Sequence, residues 1–277
     1  KRAGVVRRVI VSVVVAVLLG GMTAVFAQRW GWRRMPPRFP EAAPTHRLFT
    51  FARGLYQSTH RERGGQGWYT DYPDADINFT IRLSELTNAP VGLDRRNEPD
   101  HIVVRLTDPE LFTYPFLFMS DVGTAWFGPD EAERLGAYLR KGGFLWVDDF
   151  WGPLAWEQWA SEIGKILPPG QYPIIDIPLS DPIHHGMFDI AEVPQIPSIQ
   201  HFRRVGGRTT SERGSQSADV HVRGIYDAAG RLMVLMTHNT DIADGWEREG
   251  EDYEFFYRYS VTSYAVGINF ILHAMTH

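Results

Sequence analysis

Two adjacent carboxylates, Asp148 and Asp149, follow the apolar part of the sequence GGFLWVDDFWG at residues 142–152. Like charges side by side repel each other, so one carboxyl should have a raised pKa unless a cation or hydrogen-bond donors compensate. In one interpretation, an aspartate of this pair is a general base or a carboxylate nucleophile. In a second, the pair binds a hard cation such as Ca²⁺ or Mg²⁺, which prefers oxygen ligands. In a third, one aspartate caps the helix that begins near Pro153 and the other pairs with Arg53.

Polar residues also follow the other predicted strands of the chain. Arg53 and Tyr56 come after the first strand, Asp121 after a central one, and Asn239 and Asp241 after the last. In open parallel sheets, ligands bind outside the carboxyl ends of the strands. We therefore expect these side chains to line one ligand-binding rim together with the aspartate pair.

The loop GWYTDYPDAD at residues 67–76 is expected at the same rim. Asp76 is predicted to be the N-cap of the following helix. Asp71 is either a turn former or a ligand-binding residue, and Trp68 would stack on a sugar or another ring. Both are therefore included among the predicted ligand-binding residues.

The histidines and the remaining acidic loop give little indication of a transition metal. His184 in DPIHHGMF is either a general base for Asp148 or a water, or a histidine bonded to backbone in a turn. No third histidine lies at a recognisable metal spacing, so no zinc site is predicted. The segment THNTDIADGWE at 237–247 hints at a calcium loop, but its glycine and glutamate are out of EF-hand register. No cofactor is predicted beyond the divalent cation of the second interpretation above.

Alternating strand and helix patterns must position these residues. Strands are predicted at 48–52, 102–104, 116–119, 144–147 and 174–177, and helices at 76–86, 129–141, 153–166 and 260–274. Residues 220–226 and 232–237 flank the turn sequence DAAG at 227–230 and predict a hairpin. This alternation predicts a three-layer α/β/α, flavodoxin-like domain with a mostly parallel sheet and an antiparallel edge hairpin.

The composition limits the class of protein. The chain has 277 residues, 44% of them hydrophobic and 13% aromatic, which suits an α/β domain with a sizeable core and excludes disorder. A net charge of −5 implies no basic surface for nucleic acid. The absence of cysteine excludes disulfides, thiolate metal sites and a cysteine nucleophile.

The first 27 residues differ in kind from the rest. Four basic residues among the first eight precede an apolar stretch that ends in small residues near Ala27. This pattern is typical of a signal peptide cleaved after Ala27, and an uncleaved single-span membrane anchor is the alternative. Residues 28–45, with four prolines, predict an extended tether, and residues 46–277 predict the α/β domain. In both cases we expect an exported protein of the periplasm or cell envelope.

The segment GPDEAERLGAYLRKGGFLWVDDFWG resembles the helix, strand and elbow of the class I glutamine amidotransferase-like superfamily. More closely, the chain resembles a bacterial family known only as domain of unknown function 4159, in FTFARGLY, LTDPELFTYPFLFMSDVG, DPIHHGMFDI and other segments that cover most of residues 48–275. The superfamily often keeps a cysteine nucleophile at the turn after this strand, where Asp148 stands here. Without that thiol, amide hydrolysis through a thioester is excluded.

Three functions follow from these observations. The favoured one is a non-catalytic module that binds a ligand or an envelope partner through the predicted rim. The second is a hydrolase that acts on an envelope saccharide or peptide through Asp148 and Asp149, with or without a divalent cation. The family resemblance implies the third, a component of a membrane-associated assembly with MoxR-type ATPase partners.

Overall fold

The computed structural model describes residues 35–41 and 48–276. The predicted signal or anchor segment and most of the predicted tether lie outside these residues. Among the residues that are described, no helix has the length and apolar character needed to cross a membrane. The chain divides into two units, Lys1–Pro36 and Pro37–His277, and every element named below belongs to the second.

A seven-stranded sheet lies at the centre of the second unit. The strands of the described part of the chain are β1 (Phe51–Leu55), β2 (Gln57–Ser58), β3 (His101–Arg105), β4 (Phe116–Ser120), β5 (Ala125–Trp126), β6 (Phe144–Phe150), β7 (Ile175–Asp176), β8 (His221–Tyr226) and β9 (Leu232–His238). Their order in the sheet is β3-β1-β4-β6-β9-β8-β7, and β2 pairs with β5 apart from it. The five strands from β3 to β9 are parallel, whereas β8 and β7 add antiparallel pairs. The predicted mostly parallel sheet with an antiparallel edge is confirmed.

Helices cover both faces of this sheet. They are α1 (Asp74–Leu86), α2 (Pro129–Arg140), α3 (Gly152–Ile166), α4 (Ile199–Val205), α5 (Asp244–Glu247), α6 (Tyr253–Phe255) and α7 (Val261–Thr276). One face packs Phe118 and Trp146 of the sheet against apolar residues of α1, α4, α5 and α7. The other face packs Leu117 and Val147 against α2 and α3. Strand residues alternate between two apolar layers, as expected for a parallel sheet that is buried on both sides.

Helix α2 begins and ends where its sequence predicts. Pro129 occupies its first turn, and the Glu131 side chain accepts a hydrogen bond from the backbone N–H of Gly128 at 2.9 Å. Gly142, with φ of 108°, follows its end. The predicted start of α1 was wrong, because the helix begins at Asp74 with Pro73 at the N-cap. Asp76 lies in the first turn instead, where Arg53 binds its carboxylate.

Four other features differ from the prediction. The first strand is β1, three residues later than predicted, and β7 is only two residues long. Helix α4 lies inside residues 178–219, where no strand or helix was predicted. Strand β6 extends to Phe150, so the aspartate pair lies within the last residues of the strand rather than after it.

The central strands β4, β6 and β9 end at the same edge of the sheet. Ser120 pairs with Asp148, and Phe150 pairs with His238. Beyond these pairs, the Asp121 N–H donates to the Asp148 carbonyl at 3.1 Å. Each strand end also has a left-handed residue, namely Asp121 (φ 54°), Asp149 (φ 54°) and Asn239 (φ 64°). Aspartate and asparagine are enriched at such positions because their side chains tolerate this backbone region better than most. Three neighbouring strands therefore turn at one edge and bring polar side chains there.

Candidate functional site

A cavity of about 80 Å³ opens at this carboxyl edge. One water needs about 10–15 Å³ of such a volume, so the cavity has room for several waters or for an ion with part of its hydration shell. Eight carboxyl groups line it, together with the guanidinium groups of Arg63, Arg213 and Arg248. The carboxyl groups belong to Glu62, Asp71, Asp121, Asp149, Glu212, Asp241, Asp244 and Glu247. The cavity is therefore strongly acidic.

A β-bulge directs Asp149 into the cavity. The register of β6 with β9 shifts between Val147 and Phe150, and Asp149 within this bulge is left-handed. Bulges commonly re-aim a side chain next to a functional site. The indole N–H of Trp151 donates to Asp149 Oδ1 at 2.9 Å, and no described residue donates a hydrogen bond to Oδ2. One carboxylate oxygen of Asp149 is therefore available to a ligand.

Asp71 reaches the cavity from the loop before α1. Its backbone is left-handed, with φ of 64°, and its carbonyl accepts a hydrogen bond from the Ala75 N–H at 3.0 Å. The hydroxyl of Ser120 at the end of β4 donates to Asp71 Oδ2 at 3.1 Å. The residue is only 6% exposed, yet no described residue donates a hydrogen bond to Oδ1. Asp71 is thus held in place through its backbone and one oxygen, while the other oxygen is open.

Asp241 enters from the loop after β9 and is 3% exposed. Its backbone N–H donates to the Ile196 carbonyl at 3.0 Å, which fixes the loop. Its Oδ1 accepts a hydrogen bond from the backbone N–H of Asp244 at 2.8 Å. Among the described residues, none donates a hydrogen bond to Oδ2. Asp241 therefore also has one oxygen without a hydrogen-bond donor.

These aspartates form groups with the spacing of metal ligands. Asp71, Asp149 and Asp241, which we name the first triad, each place a carboxylate oxygen within 4.8 Å of the other two. Asp71, Asp244 and Glu247, the second triad, meet the same condition. Mg²⁺ and Ca²⁺ bind oxygens at about 2.0–2.6 Å, so ligand oxygens on opposite sides of one ion are about 4–5 Å apart. Each triad could therefore surround one hard cation.

The two triads differ in the cations near them. Arg248 Nε lies 2.6 Å from Glu247 Oε2 and 3.8 Å from Asp244 Oδ1 in the second triad. No described lysine, arginine or histidine forms an ion pair with Asp71, Asp149 or Asp241. Hence Arg248 forms ion pairs within the second triad, whereas no described cation forms one with the first triad, and Arg53 and Arg248 act on the shared Asp71 only at longer range.

Burial and mutual repulsion raise the carboxyl pKa values in this cavity. Burial is the main cause at Asp244, where the pKa rises to about 8, and at Asp121, where it rises to about 7. Burial, and then the neighbouring carboxylate of Asp71 or Asp149, raise the pKa values of Asp149 and Asp241 well above their usual range. Closely spaced carboxylates with raised pKa values need protons or metal ions to be stable together.

A glycine-rich loop, which includes Gly65 and Gly67, contacts the Asp121 carboxylate. The backbone N–H of Gly67 donates to Asp121 Oδ2 at 2.7 Å. A Cβ atom at Gly65 would collide with the Asp121 carboxylate, so only glycine permits this approach. The Tyr56 hydroxyl donates a hydrogen bond to the Asp121 carbonyl at 2.8 Å. The Gly67 N–H and the Tyr56 hydroxyl therefore fix the side chain and the backbone of Asp121.

Asp148, unlike its neighbour, does not line the cavity. It is fully buried, and it accepts hydrogen bonds from Thr237 Oγ1 at 2.5 Å and from the Ala243 N–H at 3.0 Å. It ties β6 to the end of β9 and to the loop before α5. The predicted pairing of one aspartate with Arg53 and capping of α3 by the other was wrong. Asp148 binds Thr237 and Ala243 instead, and Asp149 binds Trp151.

Arg53, Tyr56 and Trp68 also lie outside the cavity lining. Arg53 is fully buried, and its Nη2 lies 2.5 Å from Asp76 Oδ1. Its Nη1 donates to the carbonyls of Thr70 at 2.7 Å and Trp68 at 3.4 Å. This arginine therefore holds the loop that carries Asp71 against β1 and α1. Its role in the site is indirect.

His184 and Asn239 do not line the cavity. His184 is fully buried against Phe270, with ring centroids 5.7 Å apart, and burial lowers its pKa. Asn239 Oδ1 accepts a hydrogen bond from the Gly152 N–H at 2.8 Å, and its amide donates to the Asp219 carbonyl at 2.7 Å. Asn239 thus caps α3. Of the predicted site residues, only Asp71, Asp121, Asp149 and Asp241 line the cavity.

Two of the remaining cavity carboxylates, Asp244 and Glu247, have a signal in the sequence. Together with Asp241 they are spaced by three residues, which places side chains on one face of a helix. They fall in the segment 237–247, for which no helix was predicted, and α5 occupies its end. Glu62 and Glu212 lie in irregular segments without a periodic signal.

The fold and the cavity together define a three-layer α/β protein with an acidic site at the carboxyl edge of a mostly parallel sheet. A model of the family described as domain of unknown function (DUF4159) matches residues 50–275, and the chain belongs to this family. No curated protein matches the chain.

Proposed function

We propose that the first triad binds a hard divalent cation, and that the chain is a cation-dependent ligand-binding module. The observation that carries this proposal is the first triad itself. Three carboxylates lie within 4.8 Å of one another without an ion pair to any described residue. Asp241, which is 3% exposed, has one oxygen in this cavity without a hydrogen-bond donor.

The ligand set supports a hard cation rather than zinc. All three groups are carboxylates, and Mg²⁺ and Ca²⁺ prefer oxygen ligands whereas zinc usually takes histidine or cysteine. Three carboxylates leave coordination positions of a six- to eight-coordinate ion open to water or to oxygens of a ligand. The cavity volume of about 80 Å³ leaves space for them.

Calorimetric titration of the full chain with Mg²⁺, Ca²⁺ and Mn²⁺ tests the proposal. We expect saturable binding of at least one of these ions. The variants Asp149→Asn and Asp241→Asn should each weaken it about tenfold or more, about 1.4 kcal/mol. The control is Asp189→Asn, because its side chain is 90% exposed and lies outside the cavity lining. Absence of binding by all three ions would overturn the proposal.

A hydrolase that uses the bound cation is the second candidate function. It is favoured by Asp121, which lines the same cavity and has a pKa near 7, as suits a general base or acid. Its substrate would be an envelope saccharide, peptide or ester. Asp121→Asn should abolish turnover of such a panel and leave cation binding intact, because an asparagine oxygen still accepts from Gly67. Turnover that persists in this variant would contradict the role of Asp121.

The finer classification and the cellular context complete the proposal. The left-handed turn at Asp149 supports placement in the class I glutamine amidotransferase-like superfamily, with Asp149 rather than Asp148 at the elbow. Export to the periplasm or envelope, by a signal peptide or a single N-terminal span, stays a prediction. So does a MoxR-type ATPase partner. Cell fractionation and pull-down from the native envelope test these two predictions.

A further inference from the structure

The charges around the cavity do not balance when a single divalent cation is bound. Arg213 pairs with Glu62 at 3.1 Å and Glu212 at 3.3 Å, and Arg248 pairs with Glu247 and Asp244. The other four lining carboxylates form no ion pair with a described residue, and they belong to Asp71, Asp121, Asp149 and Asp241. With all eight lining carboxylates ionised and the three lining arginines charged, the lining carries a net charge of −5; one divalent cation leaves −3, and a second leaves −1.

The second triad offers a place for this second ion next to the first. Both triads contain Asp71, and the two ions of a two-metal site lie about 3.5–4 Å apart, close enough for one carboxylate to contact both. Asp71 is 6% exposed, and its Oδ1 has no donor among the described residues although the side chain lies in the cavity. Asp149 and Asp241, each with one oxygen that receives no hydrogen bond from a described residue, complete the first triad. Asp71 is therefore the residue that both ions would share.

Arg248 can remain paired when an ion enters the second triad. Its Nη1 donates to Glu251 Oε1 at 2.7 Å, a contact outside the cavity lining. Glu247 Oε2 lies 2.6 Å from Arg248 Nε, and no described residue donates a hydrogen bond to Oε1, so Oε1 is the oxygen available to an ion. Asp244 is held through Oδ2, which accepts from the Ile199 N–H at 2.8 Å, and its Oδ1 faces Arg248 from 3.8 Å. The arginine would then balance part of the charge beside the second ion.

We propose that the cavity holds a two-cation centre in which Asp71 is the bridging ligand. The first ion is bound by Asp149 and Asp241, and the second by Asp244 and Glu247. This inference rests on the proposed function, because it requires that the first triad binds a cation. The two-cation centre adds to the proposed function the number of ions and the role of the second triad.

Titration of the full chain with Mn²⁺, followed by calorimetry and by native mass spectrometry, tests the number of ions. We expect two ions per chain. Asp241→Asn and Glu247→Gln should each reduce the number to one, and Asp71→Asn should weaken both sites at least tenfold. Asp189→Asn is the control and should still bind two. Circular dichroism shows whether each variant is folded.

Electron paramagnetic resonance of the unmodified chain gives a readout that needs no variant. Two Mn²⁺ ions bridged by one carboxylate should show spin coupling, which a single ion does not. One bound ion, or a Glu247→Gln chain that still binds two, would overturn the two-cation centre and leave the proposed function standing. No bound ion would overturn both.

Discussion

Asp148 and Asp149 are neighbours in the sequence and have separate roles in the structure. Asp148 is fully buried and receives hydrogen bonds on both carboxylate oxygens, from Thr237 and Ala243. Asp149 lies in a bulge, receives one hydrogen bond from Trp151 and lines the cavity. The first aspartate therefore joins strands and loops, and the second is available for a ligand.

Asparagine substitutions at these two positions should have opposite consequences. In Asp148→Asn, the amide NH₂ faces a donor, so we expect a loss of about 1–3 kcal/mol in the free energy of unfolding. In Asp149→Asn, the left-handed backbone is tolerated and a repulsive charge is removed, so the loss should stay below about 1 kcal/mol. Urea denaturation in the presence of a chelator measures the free energy of unfolding of both variants without bound cations. A larger loss for Asp149→Asn than for Asp148→Asn would contradict the assigned roles.

The sequence predicts that an acidic site exists, but it identifies only some of the residues that form the site. Asp149 and Asp121 were predicted because polar residues at strand ends meet at one edge of a parallel sheet. Arg53 was predicted at the same rim, but Asp76 in the first turn of α1 binds it in the core. A buried ion pair between distant residues has no local sequence signal. The bulge that separates Asp148 from Asp149 has none either.

At the scale of elements, the site depends on how each central strand joins the next segment. Asn239 shows this most directly, because its left-handed backbone ends β9 and its side chain caps α3. Helix α3 begins at Gly152, three residues after Asp149 in the bulge. Asn239 thereby links the segment after β9 to the start of the helix that follows β6.

Replacing Asn239 by alanine should destabilise the protein by about 2–3 kcal/mol. Loss of the cap costs about 1 kcal/mol, and a left-handed alanine costs about 1–2 kcal/mol more. The matched control is Asn97→Ala, because Asn97 is exposed, is left-handed with φ of 63° and caps no helix. Thermal unfolding of both variants separates the two effects. Equal losses in the two variants would contradict a capping role for Asn239.

Elements with strong periodicity were predicted well, and short or irregular ones were not. Helix α2 follows its apolar spacing and its proline and glycine boundaries, all of which act locally. Helix α4 lies in a region rich in proline, glycine and serine, and its stability comes from Ile199 and Phe202 in the core. Such tertiary packing overrides local propensity, so the sequence around it predicts a loop.

At the scale of the whole molecule, the unusual feature is that acidic groups are collected in one buried place. The net charge of −5 is modest for 277 residues, yet eight carboxyl groups line a cavity of about 80 Å³. Folding removes these groups from water and brings them together, which favours their protonated forms. The unfolded chain has no such effect, so the folded state binds more protons than the unfolded state near neutral pH.

This difference predicts an inverse pH dependence of stability in the absence of divalent cations. The pKa is about 7 for Asp121 and about 8 for Asp244 in the folded state, against about 3.9 for an unfolded aspartate. Their stabilising contribution is complete below about pH 4 and is lost as pH rises from there through the folded-state pKa values of about 7 and 8. With a chelator, the free energy of unfolding should fall between pH 6.5 and 8.5, by up to about 1.4 kcal/mol per pH unit for each titrating carboxyl.

A bound divalent cation should reverse this trend, because it binds the deprotonated carboxylates and stabilises the folded state by mass action. The increase in melting temperature caused by Mg²⁺ or Mn²⁺ is therefore expected to be larger at pH 8.5 than at pH 6.5. Differential scanning calorimetry at both pH values, with chelator or with cation, measures it. Asp149→Asn should reduce both the loss of stability with pH and the gain from the cation, while Asp189→Asn should change neither. If the free energy of unfolding in chelator rises with pH, the cavity carboxyls are not protonated in the folded state. If the cation increases the melting temperature equally at both pH values, these carboxylates are not its ligands.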